Sequence, residues 1–266
     1  MSERGAIGFD RKLERPWLDL AAELAASGVS PRDARARLFE HLEGVVAGTT
    51  FNSGRGKTLT VLAHVWLTPP KVARDLRNRA VAAYPDAAAA DRLALHWAMA
   101  LGTYPFFTSV AESVGRLLRL QEDVALAQVD RRLAESWGQR STMHRSVQRI
   151  CRSMVDWGVL TESKVRGSYR PAARIAVDPG VALLLAEAVL TSSPQGCLAV
   201  AELATHPELF PFRLDLTTRN LRASAVFDVE RRGLDTDVVS LAQTRPSTPA
   251  ARRPSQNPQA TPGGRR

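Results

Sequence analysis

Apolar side chains recur every three or four residues along most of the chain, which is the spacing of an amphipathic helix. One such run follows Ser30 and Pro31, a pair typical of a helix start because serine can cap the first turn and proline fits the first helical position. Ala34 and Leu38 continue the run, and Gly44 is expected to end it.

The same spacing predicts three more helices in the first half of the chain, at about 57–67, 86–101 and 105–120. Short alternating runs at 225–231 and 236–241 predict a β-hairpin late in the chain. Helical patterns far outnumber strand patterns. The pattern therefore predicts a mainly α-helical protein.

Two consecutive helices are predicted between residues 124 and 158. The first is expected to end near Trp137 and Gly138, since glycine tolerates the left-handed conformation that closes many helices. The second follows Ser141 or Thr142, either of which can cap it. The apolar stripes are Leu126, Val129 and Leu133 on the first helix, and Val147, Ile150, Cys151 and Met154 on the second.

The net charge of +9 is concentrated in two segments. Residues 139–174 carry eight Lys or Arg against two acidic residues, a net charge of +6. Residues 243–266 carry five arginines and no acidic residue, which leaves the remainder of the chain at −2. A concentrated positive patch attracts polyanions, so the charge pattern favours nucleic acid as a partner.

Residues 243–266 contain five prolines and no Leu, Ile, Val or aromatic residue. Such a segment cannot bury enough apolar surface to offset the loss of chain entropy, so a disordered basic tail is predicted. Basic tails bind polyanions weakly and without specificity. We therefore favour a solubilising extension over a dedicated DNA-binding arm.

The polar side of the second predicted helix is a line of arginines at Arg145, Arg149 and Arg152. Two short strands are predicted after it, at 159–162 and 172–177, and the segment between them is basic and contains glycine. A basic hairpin that follows a basic helix resembles the wing of a winged helix-turn-helix domain.

This resemblance implies a non-enzymatic protein that binds double-stranded DNA. The start of the second helix would face the major groove, and the hairpin would hold the backbone or the minor groove. The candidate nucleic-acid-binding residues are Arg140, Ser141, Thr142, His144, Arg145, Arg149, Arg152, Lys164, Arg166 and Arg170. Three alternatives stay open: arginines that are simply solvated, a scaffold whose winged helix docks a partner protein, and an unrecognised enzyme.

A second resemblance extends over residues 15–190. A helical half is followed by LALHWAMALGTYPFFTSVAESVGRLLRLQ and then by a basic helix that starts with ST and ends with MVDWGVL. This order is similar to that of the small helical BrxA-type proteins of BREX phage-defence systems. The resemblance implies a DNA-binding accessory protein of a bacterial defence system, without catalysis of its own and with other proteins of that system as partners.

Motifs for catalysis, cofactors or metals do not emerge. SGRGKT at 53–58 would need glycine at position 51 to match a phosphate-binding loop, but Phe51 stands there, so a solvated loop between helices is predicted. The five histidines are scattered without metal-ligand spacing. No cofactor, metal or catalytic residue is therefore expected.

The chain contains no run of 18 apolar residues and begins without the apolar core of a signal peptide, so a cytoplasmic protein that does not bind membranes is expected. Four regions are predicted along it. They are a helical N-terminal domain (1–121), a winged helix-turn-helix (122–178), a C-terminal helix and β-hairpin (179–242) and the disordered basic tail (243–266).

Overall fold

Helices make up most of the chain in the computed structural model, which describes residues 7–233 and 236–242. The mainly α-helical class is confirmed, whereas the predicted disordered tail at 243–266 lies outside the described residues. The helices of the described part are α1 (Arg15–Ala26), α2 (Pro31–His41), α3 (Gly54–Trp66), α4 (Arg74–Ala83), α5 (Ala89–Thr103), α6 (Pro105–Leu118), α7 (Leu126–Trp137), α8 (Met143–Asp156), α9 (Pro179–Ser192), α10 (Val200–Leu203) and α11 (Thr218–Ala223). The strands are β1 (Val124–Ala125), β2 (Leu160–Glu162), β3 (Ser168–Pro171), β4 (Ile175–Ala176), β5 (Cys197–Ala199), β6 (Phe212–Arg213), β7 (Phe227–Arg232) and β8 (Thr236–Leu241). Two short 3-10 turns lie at Lys71–Ala73 and Pro207–Leu209.

The start of α2 agrees with the sequence prediction. Ser30 precedes the helix, and its Oγ accepts a hydrogen bond from the backbone N–H of Asp33 at 3.2 Å. This bond satisfies one of the N–H groups that the first turn leaves without a partner. The helix ends at His41, before the expected stop at Gly44.

The prediction of a solvated loop at SGRGKT is wrong. Helix α3 begins at Gly54, so most of the motif forms its first turns. Arg55 is only 6% exposed, with its guanidinium 3.9 Å from the centre of the Phe39 ring and 3.7 Å from the Glu43 carboxylate. Contacts with these distant neighbours place the arginine in the protein interior, and local composition does not reveal them.

Helix α5 forms the centre of the core. Every residue from Leu93 to Thr103 is buried, so other elements enclose the helix on all sides. The Trp97 ring makes edge contacts with Phe107 and Trp157, at centroid distances of 5.1 and 6.2 Å. Its Nε1 donates a hydrogen bond to the backbone oxygen of Glu208 at 2.9 Å. One side chain therefore joins α6, the end of α8 and the turn at 207–209.

A histidine is fully buried beside this core and is satisfied by its neighbours. Trp66 Nε1 donates to His96 Nδ1 at 3.1 Å, and His96 Nε2 lies 2.9 Å from Asp19 Oδ1. The Tyr84 hydroxyl donates to the same Asp19 oxygen at 2.7 Å. Burial lowers the pKa of His96, although Asp19 opposes that shift, so the ring is neutral and donates from Nε2. The group is a structural network.

The region after α6 forms a small antiparallel sheet in the order β1-β3-β2. Strand β2 agrees with the predicted strand at 159–162, and β4 lies within the predicted strand at 172–177, but the strand that pairs with β2 is β3, which begins earlier. The chain turns back earlier because Gly167 takes a positive φ of 76° and the Ser168 N–H bonds to the Val165 oxygen at 3.0 Å. β3 therefore starts at Ser168, and β4 pairs in parallel with β6.

The predicted late hairpin is confirmed. Strands β7 and β8 pair antiparallel from Phe227 opposite Leu241 to Arg232 opposite Thr236. Strand β5, which the sequence pattern did not predict, adds to the other side of β8. Within the described ranges, no helix combines the length and the apolar character needed to cross a membrane.

Candidate nucleic-acid interface

Helices α7 and α8 form the predicted pair. Helix α7 ends at Trp137, and Gly138 follows with a positive φ of 72°. The predicted apolar face of α8 is confirmed, since Val147, Ile150, Cys151 and Met154 are all at most 1% exposed. The opposite face of α8 is thereby left for solvent or a partner.

The predicted hydroxyl cap of α8 is wrong. Thr142 occupies the cap position, but its backbone is already helical (φ −89°, ψ −14°) and its hydroxyl makes no capping bond. A capping side chain needs an extended backbone to reach back to the N–H groups. Ser141 and Thr142 are instead both exposed at the start of the helix, beside the exposed Arg140.

The three arginines of the α8 line do not share one environment. Arg145 and Arg152 are exposed, and no carboxylate of the described residues lies within 4.0 Å of either guanidinium. Arg149 is half-buried, and its Nη1 donates a hydrogen bond to the backbone oxygen of Asp10 at 2.5 Å. Arg149 therefore faces the N-terminal segment, whereas the other two face outward.

That N-terminal segment lies along the C-terminal half of α8. The Leu13 N–H donates to Ser153 Oγ at 2.8 Å, and Trp157 Nε1 donates to the Leu13 oxygen at 3.0 Å. Lys12 Nζ lies 3.2 Å from an Asp156 carboxylate oxygen. The segment covers one flank of α8, so only the start of the helix and its other flank are open. The sequence analysis missed this contact, because nothing local to residues 7–14 indicates it.

The β2–β3 hairpin holds two exposed cations and one paired cation. Lys164 and Arg166 are exposed in its loop, with no ion pair among the described residues. Arg170, on β3, forms a close ion pair with Asp123, which also accepts a hydrogen bond from Ser163 Oγ at 3.0 Å. The Arg170 guanidinium lowers the pKa of Asp123, so this pair is charged over a wide pH range and ties the hairpin to the base of β1.

His144 also has a partner within the chain. Its Nδ1 forms a close contact with a carboxylate oxygen of Asp130 on α7, although the ring itself is 63% exposed. This contact joins α7 to the start of α8. His144 is therefore a bridge between two helices, with one ring edge open to solvent.

A cavity of about 300 Å³ separates α8 from the hairpin. Gln148 and Arg152 line it from the helix, and Val165 and Arg166 line it from the loop. Glu162 and Tyr169 also line it. Helix and hairpin thus form the two sides of a groove lined by two arginines and one glutamate, and Gln148, which the sequence analysis did not select, lies in it about one turn after Arg145.

No three His, Cys, Asp or Glu side chains within 7–233 and 236–242 are grouped to hold a metal ion. Burial raises the pKa of the Cys151 thiol to about 12, so it stays protonated in the core.

Comparison of the chain with models of known protein families, with curated proteins and with solved structures found no match.

Proposed function

We propose that the chain binds double-stranded DNA through the start of α8 and the β2–β3 loop, as a winged helix does. The observation that carries the proposal is the set of exposed cations on these two elements, which have no acidic partner among the described residues: Arg140, Arg145, Arg152, Lys164 and Arg166. The order α6, β1, α7, α8, β2, β3, with a basic loop between the last two strands, agrees with a winged helix-turn-helix and supports the proposal.

The proposed contacts follow from the open side of α8. A major groove about 12 Å wide admits one helix, so the exposed start of α8 would meet the base edges with Arg140, Ser141 and Thr142. Arg145 and Arg152 on α8, and Lys164 and Arg166 in the loop, would neutralise phosphates beside the groove. Arg149, Arg170 and His144 already have partners within the chain, and we assign them to positioning α8 and the hairpin.

The test is a salt series of binding to a mixed-sequence duplex. Replacement of Arg145 and Arg152 by Glu should lower the slope of log affinity against log salt by about 2, because each phosphate contact contributes about 0.9. The matched control is Arg32→Glu with Arg37→Glu, two exposed arginines on α2, which changes the net charge by the same amount. Equal weakening by both pairs would contradict the proposal, since only the net charge would then matter.

A second variant distinguishes binding by the basic segment 243–266 from binding by this surface. In it, the five arginines of the segment are replaced by Gln. If the folded surface carries the binding, the steep slope persists in this variant. A slope that vanishes would instead assign the binding to that segment.

A protein-docking role is the second candidate, and one observation favours it. Val165 is 62% exposed in the β2–β3 loop, between Lys164 and Arg166. An exposed aliphatic side chain gives nothing to a phosphate contact but can enter an apolar pocket of a partner. Val165→Ser should leave DNA binding unchanged and weaken a protein complex formed through the loop.

The proposed place of the protein in a phage-defence system rests on the sequence resemblance over residues 15–190. Phage challenge of cells carrying the Arg145→Glu, Arg152→Glu variant tests it. Loss of protection by this variant, but not by the α2 control, would support a defence role that depends on DNA binding.

A further inference from the structure

A second cavity, of about 650 Å³, lies between α6, the end of α9 and the turn at 207–209. None of the proposed DNA-contacting residues lines it. Its volume is within the range of small-molecule sites, about 300–1,000 Å³. The cavity is therefore large enough for a compact organic ligand.

Two polar atoms at this cavity are buried without a partner. The Glu208 side chain is 7% exposed, and its Oε2 has no hydrogen-bond partner among the described residues. The same holds for His206 Nδ1, which lies 3.7 Å from that oxygen, too far for a hydrogen bond. Buried polar atoms are normally paired, so two adjacent exceptions indicate a place for a ligand group.

The turn that carries these two residues is held rigidly on α6. A Cβ at Gly115 would lie 2.0 Å from the Pro207 oxygen, so the two backbones are in direct contact. The backbone oxygen of Glu208 also accepts the hydrogen bond from Trp97 Nε1. The backbone that carries the carboxyl group is thus held in place before any ligand arrives, which reduces the entropy lost on binding.

The charges around the cavity favour a cation over an anion. Glu112 is a second carboxylate in the lining, and it raises the pKa of Glu208 further, after burial, to about 8. A hydrogen bond from Ser192 to the carboxyl group and the charge of Arg116 act in the opposite direction. Arg116 also lines the cavity, but it is 57% exposed and already bonds Glu112 at 2.6 Å. An anion would meet two carboxyl groups, whereas a cation would stabilise both.

His206 completes an acceptor set. Burial, together with Arg116 and Arg119, lowers its pKa to about 4, so its ring is neutral at pH 7. A neutral imidazole can present a lone pair at Nδ1. The described residues show no metal-binding group of three ligands. An ammonium group has three donors, so it can donate one hydrogen bond to each of two carboxyl groups and one to an imidazole nitrogen.

The rest of the lining has an apolar part and a polar part. Trp137, Val189 and Leu198 form the apolar part together with Pro105 and Pro194. The polar part consists of Thr108, Ser109, Arg116, Ser192, Ser193 and Gln195. Apolar walls beside polar groups are typical of a site for an amphipathic ligand.

We propose that this cavity binds a small primary amine with an apolar body, whose ammonium group donates hydrogen bonds to Glu208, His206 Nδ1 and Glu112. The apolar part lies against Trp137, Val189 and Leu198. The site is separate from the DNA-binding surface and does not depend on it.

The experiment is calorimetric titration of the full chain with 2-phenylethylamine, n-hexylamine and the neutral analogue 2-phenylethanol. At least one amine should bind, and 2-phenylethanol should bind about tenfold more weakly or not at all, because it lacks the charge. Glu208→Gln should weaken amine binding by about tenfold or more, whereas Glu40→Gln, an exposed control on α2, should not.

Proton release distinguishes this role from a merely structural one. Glu208 is largely protonated at pH 7, so binding of an ammonium group should release nearly one proton to the buffer. Titrations in two buffers of different ionisation enthalpy measure that number, and Glu208→Gln should abolish it. Equal binding of 2-phenylethanol, no binding of either amine at millimolar concentration, or no proton release would each overturn the proposal. If Glu208→Gln does not fold, Glu112→Gln serves as the second variant, and it should also weaken binding of the amine.

Discussion

Arg149 donates a hydrogen bond from Nη1 to the backbone oxygen of Asp10, although the two residues are 139 positions apart. This bond places Arg149 on the flank of α8 that the N-terminal segment covers. Arg145, one turn earlier, is exposed and has no such partner. Two arginines on one helix therefore have different roles, one in holding α8 in the fold and one in the proposed DNA contact.

Alanine substitutions should separate these roles. Arg145→Ala should lower the salt slope of DNA binding by about 1 and leave stability nearly unchanged, since it removes one exposed phosphate contact. Arg149→Ala should lower the free energy of unfolding by about 1 kcal/mol and leave the salt slope as it is. Denaturant unfolding and a salt series on both variants measure the two effects. The same slope change in both would mean that Arg149 also reaches the DNA.

The pair Asp123 and Arg170 should control the position of the hairpin. Asp123 is bonded to both Arg170 and Ser163, so Asp123→Asn removes the charge that holds the base of β3 to β1. We expect faster amide hydrogen exchange in β2 and β3 and weaker DNA binding, because Lys164 and Arg166 then lose their fixed positions. Glu122→Gln is the control, since that neighbour is 93% exposed and lies 4.0 Å from Arg170. Unchanged exchange in Asp123→Asn would contradict this role.

The sequence predicts features that depend on local spacing. The buried stripe of α8 and the pairing of β7 with β8 depend on the periodicity of a helix and a strand, and both predictions are confirmed. The predictions for the first turn of α3 and for the second strand of the hairpin were wrong, because distant contacts and a turn determine these features. Arg55 is buried by contacts with Phe39 and Glu43, and β3 is placed by the turn at Gly167, neither of which apolar spacing reports.

The candidate sites divide in the same way. Exposed cations such as Arg145 and Lys164 can be selected from charge and helical phase alone. The engagement of Arg149 with Asp10 and the cavity at Glu208 require tertiary contacts between distant segments. The sequence gives one weak indication of the cavity, because His206 and Glu208 flank a proline within an apolar stretch. This pattern alone indicates neither burial nor a ligand.

Ser153 should contribute to stability through its contact with the N-terminal segment. It is fully buried, and its Oγ accepts the Leu13 N–H while donating to the Arg149 oxygen at 3.0 Å. Ser153→Ala leaves a buried N–H without a partner, which should cost about 1–3 kcal/mol in the free energy of unfolding. Ser136→Ala, at the exposed end of α7, is the control and should change stability by less than about 0.5 kcal/mol. Equal effects would show that water or another group replaces the bond.

The pH dependence of stability should reveal Glu208. Its pKa is about 8 in the folded chain, well above that of an unfolded glutamate, so the folded state binds more protons between these two values. The contribution of Glu208 to the free energy of unfolding therefore falls as the pH rises towards 8, by at most about 1.4 kcal/mol per pH unit. His206 acts oppositely, because its folded pKa of about 4 is below that of an unfolded histidine, and its contribution rises with pH up to about 6.5.

The contributions of Glu208 and His206 to the free energy of unfolding change in opposite directions below about pH 6.5 and cancel in part. Between about pH 6.5 and 8, only the contribution of Glu208 changes. The free energy of unfolding of the native chain should thus decline in this window, whereas that of Glu208→Gln should stay nearly level, since an amide does not ionise. Urea unfolding at closely spaced pH values measures both curves, and Glu40→Gln should follow the native one. A native curve that is level from pH 6.5 to 8 would contradict this prediction. It would mean that ionisation of Glu208 does not lower the free energy of unfolding, as for a carboxyl group exposed to water.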